Sequence, residues 1–267
     1  IIHVLRCFDN GNITHVDGSV DPVRDKGIID TELQLKDLET VEARLGKIQK
    51  QAAVGGDKNA KRQVELLLQY KAALEQGLSA RTVELEKEDR KLVADLNLLT
   101  DKPVLYVCNV DEKSAATGNA HTEAVRATIA GEKAEMLVIA AATEADIAEL
   151  ESYEERQMFL EDLGLKESGV ARLIKSAYKL LNLETFFTTG ADETRAWTYS
   201  RGMKAPQTAG VIHTDFERGF IRAEVIKYDD YVTLGSEKAC RDAGKIGIEG
   251  KEYIVQDGDI MHFLFNV

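Results

Sequence analysis

The sequence predicts an α/β protein in which a parallel sheet is interrupted by an inserted helical hairpin and followed by a smaller α+β module. Three observations support this fold class. Apolar runs near residues 1–8, 104–107 and 136–141 alternate with helical patterns, which is typical of a parallel sheet covered on both faces. Between the first and second runs, apolar residues recur at alternating steps of three and four, which is the pattern of an amphipathic helix. Beyond about residue 183, short β-rich runs alternate with turns rich in Gly and Asp.

The composition is that of an ordinary globular protein, with 267 residues, of which 44% are apolar and 30% charged. The formal net charge of −12 excludes a sequence-wide attraction to nucleic acid or anionic lipid, so any RNA contact needs a local basic patch. No run approaches the roughly 18 apolar residues of a membrane span. We therefore expect neither DNA nor a membrane as partner. Three scattered cysteines without metal-ligand spacing predict a cytoplasmic location: Cys7, Cys108 and Cys240.

The first element is an apolar strand, IIHVLRCF, at residues 1–8. Strands of this kind normally lie between other strands of a sheet. The sequence therefore suggests the C-terminal part of a longer protein. The next segment, DNGNITHVDGSVDP, is dense in Asp, Asn, Gly and Pro, which predicts turns and loop.

A helical hairpin is predicted from about Ile28 to Gln76. One apolar stripe comprises Leu38, Val41, Leu45, Ile48 and Ala52, and a second comprises Ala60, Val64, Leu67 and Leu74. Gly55 and Gly56 can end the first helix, and Asp57 can cap the second. Since the connection is short, antiparallel packing as a coiled coil is expected. A third helix is predicted over about 84–98.

The period returns to that of a strand after Pro103. The predicted elements that follow are a strand at 104–107, a helix at about 119–133, a strand at 136–141, and helices at about 144–163 and 169–181. The hairpin is therefore interpreted as an insertion in an α/β domain.

The last 80 or so residues predict a compact α+β module with one short helix near Asp215. Phe216 and Phe220 are spaced to pack into its core. Three basic residues follow within a short stretch: Arg218, Arg222 and Lys227. They are interpreted either as contacts for RNA phosphates or as a solvated face.

The stretch VLYVCNVDE suggests a site for a nucleobase. In nucleoside triphosphatases of the Ras and Obg type, an N-K-x-D signature follows a central strand and recognises guanine. Here Asn109, Val110 and Glu112 form N-x-x-E at that place. Val110 removes the lysine stem that covers the base, and the longer Glu112 moves the carboxylate out of register with guanine. Adenine is then discriminated against less, or is preferred. The alternative is that Asn109 only ends the strand.

A second candidate segment is AAATEADIAEL at residues 140–150. Small residues at the end of a strand permit close approach of a ring system, and Ala141 and Ala142 offer backbone N–H groups to a base. The alternative is tight packing of strand against helix, which small residues also serve.

Other site chemistry is not found in the sequence. The 267 residues contain no G-x-x-x-x-G-K-[ST] loop for phosphates and no D-x-x-G segment in a usable position. The five histidines show no metal-binding spacing, and no G-x-S-x-G elbow occurs. We assign no catalytic residue and no metal ligand.

The chain resembles the YchF family of Obg-related P-loop NTPases over essentially its whole length. The blocks that carry the resemblance include VLRCFDNGNITHVDGSVDP, LTDKPVLYVCNVDE, IHTDFERGFIRAE and DGDIMHFLFNV. The resemblance implies a Ras-like nucleotide-binding domain at 1–27 and 100–182, a coiled-coil insertion at 28–99, and a β-grasp TGS domain at 183–267.

The resemblance also implies a function. It implies binding and hydrolysis of ATP in preference to GTP, dependence on Mg²⁺, and association with the ribosome, with base contacts from Asn109, Val110, Glu112, Ala141 and Ala142. The family's phosphate-binding loop has no counterpart in these residues, so this chain alone is expected to be inactive. The alternative is a non-catalytic module in which the coiled coil and TGS domain bind the ribosome, RNA or a protein.

Overall fold

The computed structural model describes residues 1–54, 57–132, 134–190 and 193–266, with the side chains of Ala53 and Val54 left out. The chain divides into two compact units, Ile1–Ser176 and Ala177–Val267. Within the described residues, no helix combines the length and the apolar character needed to cross a bilayer. Gly55, Gly56, Lys133 and Val267, which fall in predicted elements, lie outside the described residues. The three-domain division stays a prediction.

The first unit contains the predicted parallel sheet. Its strands are β1 (Ile2–Arg6), β2 (Leu105–Asn109) and β3 (Glu135–Ile139), in the order β1-β2-β3 with both pairs parallel. Strand β2 is central, and its first four residues are buried. The predicted strands are confirmed with shifted ends, since β2 extends to Asn109 and β3 stops two residues before Ala141.

Helix α1 (Pro22–Val54) and helix α2 (Lys58–Glu75) pack against each other as the predicted hairpin. Supercoiling of the pair stays a prediction. The start of α1 near residue 28 is wrong, because the helix begins at Pro22. The Asp21 carboxylate accepts the N–H groups of Val23 and Arg24 at 3.1 and 3.0 Å, and proline suits the first helical position because it lacks an N–H.

The third predicted helix is shorter than expected. Helix α3 covers only Lys87–Val93, and a 3₁₀ turn at Ala94–Leu96 follows it. Asn97 then adopts a left-handed conformation with φ of 51°, which stops the helix. Another 3₁₀ turn, Ala80–Thr82, precedes α3.

The second half of this unit supplies three helices and the greater part of a fourth, whose last residues, 177–180, belong to the second unit. They are α4 (Ala120–Ile129), α5 (Ala141–Glu149), α6 (Tyr153–Asp162) and α7 (Gly169–Leu180). The single helix predicted over 144–163 is wrong, because α5 and α6 are separate. Ser152 begins α6 with a capping box, in which its hydroxyl accepts the Glu155 N–H and the Glu155 carboxylate accepts the Ser152 N–H.

The second unit is a five-stranded mixed sheet with short helices. Its strands are β4 (Leu183–Thr189), β5 (Thr194–Ser200), β6 (Phe220–Ile226), β7 (Gly247–Glu249) and β8 (Ile260–Phe265), in the order β5-β4-β8-β6-β7. Its helices are α8 (Ala205–Ile212), α9 (Thr214–Arg218), α10 (Tyr228–Leu234) and α11 (Glu237–Asp242).

Two expectations about this unit are wrong. The single predicted helix near Asp215 is α9, and three further short helices accompany it. The run KEYIV at residues 251–255, one of the β-rich runs predicted beyond residue 183, forms no strand and contributes only an isolated bridge between Ile254 and Lys204. These elements are too short to show a helical or strand period. The predicted core positions are confirmed, since Phe220 is buried and Phe216 packs against the same cluster.

Candidate nucleotide-base site

The candidate site lies where the three parallel strands of the first unit end. Arg6, Asn109 and Ile139 are in register across β1, β2 and β3, so their following loops leave the same edge of the sheet. Buried apolar residues fix the position of β2, and Asn109 is the first residue of that run that is not fully buried. This carboxyl edge is where open α/β sheets usually bind ligands.

The side chain of Asn109 joins two loops at this edge. Its Oδ1 accepts the backbone N–H of Ala141 at 3.0 Å. Two backbone hydrogen bonds also hold the neighbouring strand ends together. The Val110 N–H donates to the Ile139 carbonyl at 2.9 Å, and the Cys7 N–H donates to the Asn109 carbonyl at 2.7 Å. The start of α5 is therefore held directly beside the end of β2.

Ala141 and Ala142 are exposed in the first turn of α5. The first N–H groups of a helix have no acceptor within it. The Ala141 N–H is satisfied by Asn109 Oδ1 from outside the helix, and the first hydrogen bond of the helix runs from the Glu144 N–H to the Ala140 carbonyl at 3.0 Å. The Ala142 N–H is therefore available as a donor to a ligand at this edge.

Val110 and Glu112 occupy different environments. The Val110 side chain is 4% exposed and belongs to the hydrophobic core under the sheet, so the surface that it offers to a ligand is small. Glu112 is exposed at the start of a 3₁₀ turn, Glu112–Ser114. Its carboxylate has no hydrogen bond or ion pair with the rest of the described chain. The contacts predicted for both residues stay predictions.

Sequence reasoning missed two residues that hold the loops around the site. The Asn119 amide donates to the Cys7 carbonyl at 2.7 Å, which ties α4 to the end of β1. The Glu144 carboxylate accepts the N–H groups of Gly169 and Val170 at 2.6 and 3.2 Å, which fixes α5 against the start of α7. The sequence signal for Asn119 was its capping box with Thr122.

A buried charge cluster connects α1 to the sheet and was also missed. The ammonium of Lys26, which is 5% exposed, donates to Asp30 at 2.7 Å and to Glu132 at 2.6 Å. Burial favours a lower pKa for Lys26, but these two hydrogen bonds outweigh it and raise the pKa. Burial, with the nearby Asp30, raises the pKa of Tyr106 to about 12, and its hydroxyl donates to Glu132 at 3.0 Å.

Glu132 remains ionised in this cluster. Burial acts to raise its pKa, but the Lys26 hydrogen bond outweighs burial and lowers the pKa below the ordinary value of 4.5. The cluster therefore contains oppositely charged groups that are paired, and their mutual attraction and hydrogen bonds offset the cost of removing them from water.

His15, Asp17 and Asp25 form the one group of potential metal ligands found in the described part of the chain, with ligand atoms within 4.8 Å. These residues do not fit Mg²⁺, which prefers oxygen ligands in an octahedral arrangement. His15 Nε2 contacts Asp25 at 2.9 Å, and the Arg24 guanidinium contacts Asp17 at 3.4 Å and Asp25 at 3.1 Å. Because a bound cation would be repelled by Arg24, we interpret the group as an ion-pair cluster that orders the loop before α1.

The basic residues of the second unit differ in availability. Arg218 and Arg222 are exposed. The Lys227 ammonium donates to Asp259 at 2.6 Å, and Asp259 is 1% exposed. Lys227 therefore forms an ion pair with a buried carboxylate, although its own side chain is 53% exposed. The two arginines face solvent.

Comparison with known proteins identifies the family of this chain. The family model YchF-GTPase_C, described as a protein of unknown function (DUF933), matches residues 183–266. A Bacillus subtilis (strain 168) protein named ribosome-binding ATPase YchF is 52% identical over 269 residues, which cover 100% of this chain and 73% of the relative. An Escherichia coli O157:H7 protein with that name is 48% identical, covering 99% and 72%.

Relatives beyond bacteria match as well. Obg-like ATPase 1 of Rattus norvegicus is 44% identical and covers 100% of this chain and 68% of the relative. The solved structure of the Schizosaccharomyces pombe YchF GTPase superposes with a TM-score of 0.83 at 34% identity, covering 98% of this chain and 71% of that chain. The predicted family resemblance is confirmed. The chain belongs to the YchF family of Obg-like ATPases.

Proposed function

We propose that this chain provides the base-recognition part of a ribosome-associated ATPase, with the purine ring held at the carboxyl edge of the three-stranded sheet. The bacterial relatives named ribosome-binding ATPase support nucleotide binding and ribosome association. A cytoplasmic location, where ribosomes work, is part of the same proposal.

The observation that carries the base site is the 3.0 Å hydrogen bond from the Ala141 N–H to Asn109 Oδ1. It brings the two segments selected from the sequence to one place, although they are 32 positions apart along the chain. If Asn109 only ended its strand, no contact with the start of α5 would be required.

The proposed base contacts follow from the donors and acceptors at this edge. Adenine presents an amino donor at N6 and an acceptor at N1, whereas guanine presents an acceptor at O6 and donors at N1 and N2. The Ala142 N–H can donate to adenine N1, and the Glu112 carboxylate can accept from the N6 amino group. Asn109 positions Ala141, and Val110 supports the loop from the core. We propose ATP in preference to GTP on this basis.

Phosphate chemistry is not assigned to any residue of this chain. The 267 residues contain no G-x-x-x-x-G-K-[ST] loop, and the one group of potential metal ligands found in the described residues, around His15, does not fit Mg²⁺. Mg²⁺ dependence and hydrolysis are therefore carried into the proposal by family membership alone. We expect no ATP hydrolysis from this chain by itself.

Amide NMR of the ¹⁵N-labelled chain, titrated with ATP and with GTP up to millimolar concentrations, tests the base site. This measurement detects weak binding and locates it. We expect saturable shifts of the Ala141 and Ala142 amides and of the Asn109 side chain, larger with ATP than with GTP. Shifts confined to other regions, or none at these groups, would contradict the proposal.

Two variants separate recognition from folding. Glu112→Asp shortens the carboxylate, and we expect it to move the preference towards GTP in the same titration. Asn109→Asp keeps an acceptor for the Ala141 N–H and removes the amide donor, whereas Asn109→Ala removes both and costs about 1 kcal/mol of stability. An unchanged ATP to GTP ratio in Glu112→Asp would show that Glu112 does not contact the base.

A second candidate function is a non-catalytic module that binds ribosomal RNA through the second unit. The exposure of Arg218 and Arg222 favours it, and the pairing of Lys227 with the buried Asp259 weakens it. RNA binding that Arg218→Gln with Arg222→Gln abolishes would support this candidate. Unchanged binding in that variant would contradict it.

A further inference from the structure

Glu144 links the start of α5 to the start of α7, although it lies outside the base motif that the sequence indicated. It belongs to the first turn of α5 and is partly buried. A carboxylate at that position ordinarily stabilises the N-terminus of its own helix. Here its Oε1 accepts the Gly169 N–H at 2.6 Å and its Oε2 accepts the Val170 N–H at 3.2 Å, so both oxygens bind the neighbouring helix.

The start of α7 depends on this carboxylate. The first N–H groups of a helix have no acceptor within it. Glu144 accepts two of those of α7, and the Ser168 hydroxyl accepts a third, that of Ala171, at 3.2 Å. Because the acceptor is charged, the two hydrogen bonds to Glu144 are stronger than bonds between neutral groups. One side chain therefore holds two helix starts together.

Gly169 permits the close approach that this contact requires. It is buried, and a Cβ at its position would lie 2.8 Å from Glu144 Oε1 and 3.0 Å from Ile139 Cγ2. One turn further along α7, the Arg172 guanidinium donates to the Val138 carbonyl at 2.9 Å. The start of α7 therefore lies against the end of β3 as well as against α5.

The turn between β3 and α5 is consequently anchored from two sides. Asn109 Oδ1 holds the Ala141 N–H from the side of β2, and Glu144 holds the same turn from the side of α7. Ala142 lies between these two anchors, and its N–H is the donor proposed for adenine N1. A hydrogen bond weakens steeply as it departs from a straight geometry, so the direction of this N–H decides the strength of the contact.

The same direction decides how well guanine is rejected. Adenine N1 is an acceptor, whereas guanine N1 carries a proton. A correctly directed Ala142 N–H therefore attracts adenine and opposes guanine with one donor against another. A displaced N–H loses both effects, so the position of this donor sets the preference between the two bases.

We propose that Glu144 is a positioning residue for base discrimination, which holds the Ala142 N–H in the direction that adenine N1 requires by binding the start of α7. The inference rests on the proposed base site. It adds a residue that determines the specificity of that site without touching the nucleotide, unlike Glu112, whose carboxylate is proposed to contact the base.

Three variants of the full chain test this role. Glu144→Gln keeps one carbonyl acceptor and turns its amide NH₂ towards the second N–H, so one of the two hydrogen bonds is lost. Gly169→Ala displaces the same carboxylate from the side of α7 and leaves its charge in place. Glu149→Gln is the matched control, because it removes the same charge from an exposed position in the last turn of α5. Far-UV circular dichroism verifies that all three variants keep the helix content of the original chain.

Amide NMR titrations compare ATP with 1-deaza-ATP, in which a C–H group replaces N1 and removes the acceptor for the Ala142 N–H. The original chain should bind ATP about fivefold more tightly, which corresponds to one hydrogen bond. We expect this ratio to fall to about one in Glu144→Gln and Gly169→Ala, with an unchanged affinity for 1-deaza-ATP, whereas the control keeps the original ratio. A merely structural role would lower the affinities for both nucleotides equally and leave the ratio in place, which would overturn the inference.

The remaining outcomes separate this inference from the proposed function. Absence of ATP-dependent shifts at Ala141 and Ala142 in the original chain would refute the base site and this inference together. Shifts at those amides, combined with the original ratio in Glu144→Gln, would overturn this inference alone. Without ligand, we expect the Ala141 and Ala142 resonances to move in Glu144→Gln and Gly169→Ala, and resonances that stay in place would also overturn it.

Discussion

Asp37 provides a quantitative test of how the helical hairpin is joined to strand β2. Its side chain is 2% exposed, and its carboxylate accepts the Leu99 N–H at 2.7 Å, the Thr100 N–H at 2.6 Å and the Thr100 hydroxyl at 2.7 Å. The same hydroxyl oxygen accepts the Ala80 N–H at 2.9 Å. Asp37→Ala removes one acceptor group from three donors at once.

The expected loss is large because the donors stay buried. A hydrogen bond to a charged group contributes about 1.5–3 kcal/mol, and an unsatisfied buried donor costs about 1–3 kcal/mol. The Thr100 hydroxyl can rotate to another acceptor, so we expect the free energy of unfolding of the first unit to fall by about 3–5 kcal/mol. With a urea dependence of about 2 kcal/mol per molar, the midpoint falls by about 2 M.

The assay uses two probes of one urea titration. Far-UV circular dichroism follows the helices of the first unit, whereas Trp197, the single tryptophan of the sequence, reports on the second unit. We expect Asp37→Ala to lower the circular dichroism midpoint and to leave the fluorescence midpoint in place. Asp95→Ala, which removes an exposed partner of Arg44, is the control and costs about 1 kcal/mol or less. A loss below about 1 kcal/mol in Asp37→Ala would refute the reasoning.

Two further predictions concern pH and packing. Because the folded pKa of Glu132 is lowered, its contribution is present above its ordinary value of 4.5 and is lost as pH falls through the folded pKa. Glu132→Gln should therefore weaken the dependence of the urea midpoint on pH below pH 4.5. It should also lower the free energy of unfolding by about 2–3 kcal/mol at pH 7, because Lys26 loses a charged partner. An unchanged pH dependence of the midpoint below pH 4.5 would contradict this. In the second unit, Gly219→Ala places its Cβ about 2.2 Å from the Asn266 carbonyl oxygen and should cost about 2–3 kcal/mol by tryptophan fluorescence. Gly250→Ala, with open space around it, should change little, and equal effects in the two variants would refute the steric account.

Hydrophobic periodicity predicted the type and the approximate place of an element correctly wherever that element was long or continuously apolar. The core positions Val41, Leu45 and Ile48 of α1 are buried, and the three strands of the parallel sheet overlap the three predicted apolar runs. The boundaries that failed were decided by single side chains. Asp21 began α1 six residues early, and Ser152 divided α5 from α6. Such caps act through one or two hydrogen bonds, which a hydrophobic pattern does not register.

The candidate site shows the same division. The end of an apolar run and a row of alanines indicated Asn109 and Ala141 separately, because a strand needs burial and a close approach needs small residues. Their hydrogen bond depends on the register of β2 with β3, which is a long-range property. The exposure of Glu112 and the burial of Val110 were likewise set by the packing of the loop after β2.

By itself, the sequence determined the fold class and the family, because composition, motifs and local period depend only on neighbours in the chain. Only the tertiary structure decided which charged side chains are paired with a group of opposite charge. Lys26, Asp37 and Glu132 look like ordinary surface residues in the sequence, yet they are paired in or near the core. The reason is that an ion pair forms between groups brought together by packing, often a hundred residues apart, and local sequence has no record of that distance.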